Sequence, residues 1–278
     1  ALIFAAAIFG GSRQISKITG VLVPVMGIFY LAVSLFIIVT HYQFIPQMFG
    51  DIFGNAFDLR AIFGGFAGSC IMHGIKRGLF SNEAGVGSAP NAAASAAVSH
   101  PVKQGLVQML SVFIDTILIC SATAFMLLCS GVAPSADLAG MPWVQAAASH
   151  SLGRFGAIFI TIALCLFAFT TLIGNFYYAE MGLKFLCGRK PGKALINCFR
   201  IAAALIVLVG ATMEFGLVWN MADVLMGLMA LINLPVILIL GGPAIRAMQD
   251  YMKQKKEGKD PVFKAKDIQL KDKTDFWN

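Results

Sequence analysis

Apolar residues in this chain fall in long blocks with polar residues confined between them. The blocks run from Ile18 to Thr40, Ala61 to Ile75, Val107 to Cys129, Phe155 to Tyr178, Ile201 to Met213 and Leu217 to Leu240. A membrane-spanning helix needs roughly 20 consecutive apolar residues, so the pattern predicts an all-α polytopic membrane protein with six spans, two of them short. Pro24 sits inside the first block and is expected to kink it. "HYQFIPQMFGDIFGNAFDLR" is amphipathic and is expected to lie along the outer surface. "SAPNAAASAAVSH" is rich in small residues and predicts a short helix. Pro101 then opens the next span, where its missing N–H costs nothing. Trp143 to Leu152 predicts a second short amphipathic helix. Residues 1–247 form a single transmembrane domain on this reading, and residues 248–278 form a basic tail, polar and largely extended or disordered.

Composition agrees: 58% of the 278 residues are hydrophobic and only 13% are charged, against about a quarter charged in soluble domains. The chain opens "ALIFAAAIFG", already inside an apolar run, with neither the basic start nor the cleavage site of a signal peptide. The N-terminus is therefore expected to be the cut end of a spanning helix. The six cysteines lie in or beside apolar runs without CxxC or zinc spacing, and no disulfide is expected.

The net charge of +7 invites a nucleic-acid partner, but its distribution argues against one. If the first partial helix ends in the cytoplasm and the spans alternate, cytoplasmic segments hold 19 of the 21 basic residues. These include Lys76, Arg77 and Lys103, and only Arg60 and Arg154 remain outside. Lys and Arg bias sets orientation, so a multi-pass protein with a cytoplasmic C-terminus is expected. The lysine-rich tail is either solvated or touches anionic head groups of the bilayer.

Polar residues inside the blocks carry the candidate chemistry. "FGGFAG" (Phe63 to Gly68) contains Gly64, Gly65 and Gly68. It reads either as close GxxxG helix packing or as a helix break. Broken helices in membranes line cavities, offering N–H groups to a carboxylate and C=O groups to a cation. "RGLFSNEAGVGSAP" then reads as the polar extension that completes this short span, with Asn82 and Glu83 satisfying exposed backbone or bonding neighbouring helices. The alternative is a capped cytoplasmic loop. Thr171, Asn175 and Tyr178 fall at i, i+4 and i+7, one face of a helix. Thr170 and Thr171 offer oxygen ligands to a small hard cation, or bond back to their own helix. Mid-span Asp115 is a cation ligand, a gate or a structural partner, because buried acids in membranes are costly unless paired. Glu180 and Asp223 sit near span ends. His73 is a proton relay or a packing residue.

"RGLFSNEAGVGSAPNAAA", "HPVKQGLVQMLSVFIDT" and "LFAFTTLIGNFYYAE" resemble signature stretches of the alanine/glycine:cation symporter family, sodium:amino acid symporters of bacteria and archaea. The resemblance runs from "GGSRQISKITGVLVPVMGIFYL" to "DPVFKAKDI", essentially the whole chain. It implies a leucine-transporter-type fold of two inverted five-helix repeats, of which this chain holds the second and the end of the first. It implies substrate contacts at Phe63, Gly64, Gly65, Phe66, Gly68, Thr171 and Asn175, and sodium at Thr170 and Thr171. Asn82, Glu83, Asp115 and Tyr178 then serve as gates or structural polar groups. The implied function is sodium-coupled symport of a small neutral amino acid, alanine or glycine, across the plasma membrane by alternating access. No cofactor and no metal beyond sodium is implied. Many members carry tryptophan where this chain has Asn175, so a sodium- or proton-coupled carrier for a larger amino acid such as glutamine is the alternative.

Other classes find little support. There is no GxSxG or HExxH, and the four histidines offer no metalloprotease spacing. A channel would need repeated polar rings or filters.

Overall fold

The computed structural model describes residues 2–10, 12–56, 66–83, 85–133, 135, 138, 140–188, 191–270 and 277, and of these the side chains of 12–16, 18, 55, 56 and 66–73 lie outside the description. Every regular element among the described residues is helical. In chain order they are α1 (Leu2–Phe9), α2 (Ser12–Thr40), α3 (Ile45–Ala56), α4 (Phe66–Asn82), α5 (Ala89–Ala93), α6 (Pro101–Cys129), α7 (Met141–Leu152), α8 (Arg154–Leu186), α9 (Lys193–Gly210) and α10 (Phe215–Lys256). Five of them, α2, α6, α8, α9 and α10, are long and apolar enough to cross a membrane. The predicted span Ala61 to Ile75 corresponds to the 17-residue α4, with residues 57–65 outside the description. Helix α10 continues to Lys256, beyond the predicted domain edge at residue 247.

Local chemistry starts and ends these helices. The His100 imidazole Nδ1 accepts the Val102 N–H at 3.2 Å and Pro101 follows it, so α6 begins with its exposed donors capped. Within α6 the residues Ile114–Cys120 adopt a π-helical winding, a geometry that recurs at functional sites. Helices α7 and α8 form a tight hairpin about Gly153. A Cβ on Gly156 would lie 2.2 Å from the Ala148 carbonyl oxygen, so only glycine permits this approach.

Two apolar clusters hold the bundle. Tyr30 and Ile37 of α2, Met126 of α6, Val144 and Ala148 of α7, and Phe159, Ile160 and Ala163 of α8 form one. Phe4, Ala7 and Ile8 of α1 pack on Ile173 and Phe176 of α8, with Phe199 of α9 beside them, to form the other. By contrast Ile206, Leu231, Ile232, Leu238 and Ile239 are all more than 70% exposed. In a bilayer such faces meet lipid tails as apolar as themselves, so they carry no penalty.

The tail departs from expectation. Residues 260–270 fold back as a clasp over the start of α6 and the end of α10. The Phe263 N–H bonds the Ser99 carbonyl at 2.9 Å, and Ser99 Oγ bonds the Pro261 carbonyl at 3.0 Å. Gln254 reaches Val262 twice, donating to its carbonyl and accepting its N–H, each at 3.0 Å. Lys103 Nζ meets Asp260 Oδ1 at 2.6 Å. His100, fully buried, places Nε2 3.3 Å from Asp250 Oδ2, and its ring lies between those of Tyr251 and Phe263. Ala247, Phe263, Ala265 and Ile268 close a third apolar cluster with Trp277. Three apolar anchors among lysines, Phe263, Ala265 and Ile268, are enough to order a segment whose composition reads as extended or disordered.

Truncating a buried phenylalanine costs about 3–5 kcal/mol. Phe263→Ala is therefore expected to open the clasp, seen as a red shift of Trp277 emission and faster tryptic cleavage of the tail. The bundle helices should remain protected. The Lys103 ammonium beside Asp260 holds its carboxyl below its ordinary value. That contribution is fully present above the ordinary carboxylate range and is lost as pH falls through the depressed value. Acidification of the wild type should thus loosen the clasp, and Asp260→Asn should remove that step in the Trp277 emission.

Candidate functional site

Between α4 and α5 the chain unwinds. Glu83, Gly85 and Gly87 have φ of +49°, +77° and +95°, so the helix that ends at Asn82 resumes only near Ala89. Neighbours answer the freed backbone groups. Asn233, midway along α10, donates from Nδ2 to the Gly85 carbonyl at 3.0 Å. Asn91 Nδ2 donates to the Gly87 carbonyl at 3.2 Å, and the Ser88 hydroxyl donates to the Glu83 carboxylate. A Cβ on Gly87 would lie 2.9 Å from Asn233 Cγ. Glycine at 87 is thus required twice, by the left-handed backbone and by the close approach of α10.

Before the break, α4 is fastened to α6. Ser81 Oγ donates to Asp115 Oδ2 at 3.0 Å, and Thr116 Oγ1 donates to Asn82 Oδ1 at 2.8 Å. Asn82 Nδ2 bonds the Gly78 carbonyl, capping the end of α4. Both partners on α6 belong to its π-helical segment.

Two cavities flank the break. The smaller, about 450 Å³, is lined from α2 by Thr19 and Val23, from the break by Glu83, and from α8 by Thr170, Thr171, Asn175 and Tyr178. Ser95 Oγ and the Tyr177 hydroxyl, 2.9 Å apart, tie the chain after α5 to α8 at its edge. The larger, about 910 Å³, is lined by Asn82, Glu83, Ser88, Gln108, Asp115 and Met229 among others. Glu83, Thr171, Asn175 and Tyr178 border both. The face predicted from the i, i+4, i+7 spacing is thus the wall between the two.

The structure sorts the remaining expected residues. Thr170, 8% exposed, donates to the carbonyls of Leu166 and Phe167, each at 3.0 Å. It bonds back to its own helix and still lines the smaller cavity, where its oxygen keeps lone pairs to offer. Phe63, Gly64 and Gly65 lie outside the described residues. Phe66 and Gly68 begin α4, and the Phe66 side chain lies outside the description, as does that of His73. The expected break at Phe63 to Gly68 thus lies in large part outside the described residues, and the unwinding seen at Glu83 to Ser88 falls in the stretch read as its polar extension. Lys76 and Arg77 both pair with Asp223, at 3.1 Å each, and Arg77 stacks over Trp219 at 4.6 Å. Asp223 lies 27 residues before Asp250 on α10, roughly 40 Å of helix. These two cations therefore do not share an end of the bundle with Lys103, as the charge alternation had grouped them. Glu180, 2% exposed, pairs with Lys184 at 2.6 Å, away from either cavity lining.

Sequence reasoning missed Thr19, Val23 and Ser95. One signal was present for the first two: Pro24 carries no N–H, which leaves the Gly20 carbonyl without its intrahelical donor, one residue from Thr19. For Ser95 there was no signal, since its role comes from Tyr177, 82 residues away.

The model of the sodium:alanine symporter family matches residues 1–265. The chain is 46% identical over 268 residues to the amino-acid carrier protein AlsT of Bacillus subtilis, covering 96% of this chain and 57% of that protein. It is 42% identical to the probable sodium/glutamine symporter GlnT of Bacillus subtilis, covering 94% and 54%. It is also 42% identical to the sodium/alanine symporter AgcS of Methanococcus maripaludis, covering 88% and 54%. The chain spans about half the length of the curated relatives it matches.

The break can be tested by stability alone. Gly87→Ala forces a side chain into a left-handed backbone against Asn233 and should cost on the order of 1–3 kcal/mol. Asn233→Leu leaves the Gly85 carbonyl unanswered and should cost about the same. Both losses would appear as lowered thermal midpoints in detergent, while Gly50→Ala, where an added Cβ meets nothing within 4 Å, should leave the midpoint unchanged.

Proposed function

The chain belongs to the sodium:alanine symporter family, and from that membership we propose that it forms the substrate-binding half of a sodium-coupled amino acid symporter. We take its helices to be the second repeat, and the end of the first, of a leucine-transporter-type inverted-repeat fold. The substrate is a small neutral amino acid, alanine or glycine, carried into the cell by alternating access. The observation that carries this reading is the 450 Å³ cavity lined jointly by α2, α8 and the unwound segment. It brings hydroxyl and carboxamide side chains to a place where backbone groups have left their helix.

Roles follow from chemistry. Thr170 and Thr171 offer hydroxyl oxygens to sodium, a hard cation that prefers oxygen ligands. Backbone N–H groups around the unwound segment receive the substrate carboxylate, the usual use of a broken helix in transporters. The Glu83 carboxylate, on the wall between the cavities, faces the substrate ammonium. Phe63 and Phe66 close over the amino acid, with Gly64, Gly65 and Gly68 allowing their approach. Sodium binding at Thr170 and Thr171 orders the wall of α8 against the break and so favours the occluded form, from which both ligands leave on the cytoplasmic side. The C-terminal clasp then lies in the cytoplasm, next to the inner leaflet.

A second reading rests on Asn175. It borders both cavities, so a substrate side chain can extend past it from the smaller into the larger. That favours glutamine beside alanine, the substrate in the name of the relative GlnT.

The test is uptake of labelled alanine in proteoliposomes that carry the protein expressed from its full reading frame. Uptake is expected with an inward sodium gradient and not when potassium replaces sodium. Thr170→Ala should raise the sodium concentration for half-maximal uptake about tenfold or more, a loss of roughly 1.4 kcal/mol. Equal uptake in sodium and potassium would refute sodium coupling. Asn175→Trp should close the passage between the cavities, reducing glutamine uptake selectively; equal losses for alanine and glutamine would remove the second reading.

A further inference from the structure

Two histidines meet at the end of the bundle remote from the clasp. His41 immediately follows α2, and His150 lies in the last turn of α7. Their ring centres are 6.5 Å apart, with the planes tilted by 46°. The first apolar cluster sets this meeting. Ile37, fully buried, lies one turn before His41, and the buried Ala147 and Ala148 lie just before His150. Met126 belongs to the same cluster, near the opposite end of α6 from Pro101 and the clasp.

The hydrogen bonds of His41 settle its tautomer. Nδ1 lies 3.0 Å from the Ile37 carbonyl oxygen, and a carbonyl can only accept. The Thr40 hydroxyl, 3.1 Å from the same nitrogen, donates instead to the Phe36 and Ile37 carbonyls, each at 2.9 Å. Neutral His41 therefore carries its proton on Nδ1 and keeps a lone pair on Nε2. A ring N–H given to a backbone carbonyl is the arrangement that orients histidine ligands in metal sites and raises their basicity. The Phe44 ring, stacked 6.5 Å away, steadies the imidazole plane. His150 is exposed, so its side chain can turn. Of the other histidines, His100 has both ring nitrogens engaged, by Val102 and Asp250, and the His73 side chain lies outside the description.

We propose that His41 and His150 form a zinc site that bridges α2 and α7. Imidazole suits zinc and its first-row neighbours. With Zn–N bonds of about 2.0–2.1 Å and tetrahedral angles, two imidazole centres on one ion lie about 5 Å apart. A rotation of the exposed His150 side chain closes the difference. No third His, Cys, Asp or Glu joins the pair among the described residues, so water fills the remaining positions and zinc exchanges with the medium. The ion clamps the far end of α2 to the hairpin that leads into α8. Those two helices supply Thr19, Val23, Thr170 and Thr171 to the walls of the smaller cavity. Zinc therefore restrains the two walls against each other and slows transport without competing for the amino acid site. This consequence rests on the symport reading above, whereas the binding does not.

The experiment uses the full-length purified protein with its affinity tag removed. Equilibrium zinc binding and the thermal midpoint in detergent are measured together, because a ligand that binds only the folded state raises the midpoint. Zinc is expected to bind wild type and raise its midpoint. His150→Ala should weaken that binding by about tenfold or more, since even losing a ligand's outer partner does so. His150→Cys supplies a thiolate ligand in place of imidazole and should recover what His150→Ala loses, which a merely structural role for His150 would not allow. His73→Gln should bind as wild type. Absence of a zinc-dependent midpoint shift in wild type overturns the proposal. So does a shift retained in full by His41→Ala and His150→Ala, which would place the zinc elsewhere. If His41→Ala does not fold, the exposed His150 decides alone. Sodium-driven alanine uptake in proteoliposomes is then measured with added zinc. A lower maximal rate at unchanged KM, absent in His150→Ala, supports the clamp, and zinc bound at the pair with no effect on uptake overturns it. Wild type without sodium-driven uptake sinks the symport reading and leaves the zinc site to be decided by binding and midpoint.

Discussion

Hydrocarbon offers no hydrogen bonds, so every backbone group that leaves a helix inside it needs a partner from the protein. Among the described residues, neighbouring helices are arranged around that constraint at the unwinding from Glu83 to Ser88. Asn233 of α10 answers the Gly85 carbonyl, and Asn91 answers that of Gly87. Ser81 and Asn82 anchor the preceding turn to Asp115 and Thr116 of α6. Three helices are thereby held at fixed distances from a segment that has no regular structure of its own. The cavities on either side exist because that segment cannot pack as a helix would.

Charge obeys the same constraint by a different route. Acids near the helix ends are matched by nearby basic groups: Asp223 by Lys76 and Arg77, Asp250 by His100, Asp260 by Lys103. Glu180 is deeper and carries its own lysine one turn away. Glu83 and Asp115 have only hydroxyl and thiol donors. These two acids border the larger cavity, whereas the ion-paired ones fasten helices together. The division between the two classes follows the division between cavity wall and bundle end.

The extent to which the sequence was legible follows from the range of the forces involved. The spans were readable because hydropathy and length are local properties. So was the face of Thr171, Asn175 and Tyr178, since a helix of known period turns spacing into direction. The glycines at 85 and 87 were visible, but what holds the chain open around them was not. What makes unwinding possible there is Asn233, 148 residues away, and no local propensity reports on it. The pairing of Lys76 and Arg77 with Asp223 was hidden for the same reason. The basic-residue count assigns a loop to a side, but it is blind to a cation that turns inward along its own helix. In the tail, the density of lysine masked Phe263, Ala265 and Ile268, whose partners are the distant starts and ends of other helices.

The clasp also imposes an order in time. Its partners are Ser99, His100 and Lys103 at the start of α6, and Asp250, Tyr251 and Gln254 at the end of α10. During synthesis the first group emerges from the ribosome some 150 residues before the second, and the closing strap follows both. Until then the pocket that receives the Phe263 ring stands open. A chain that stalls or is cut before residue 260 leaves that pocket exposed, whereas one that continues through residue 270 buries it.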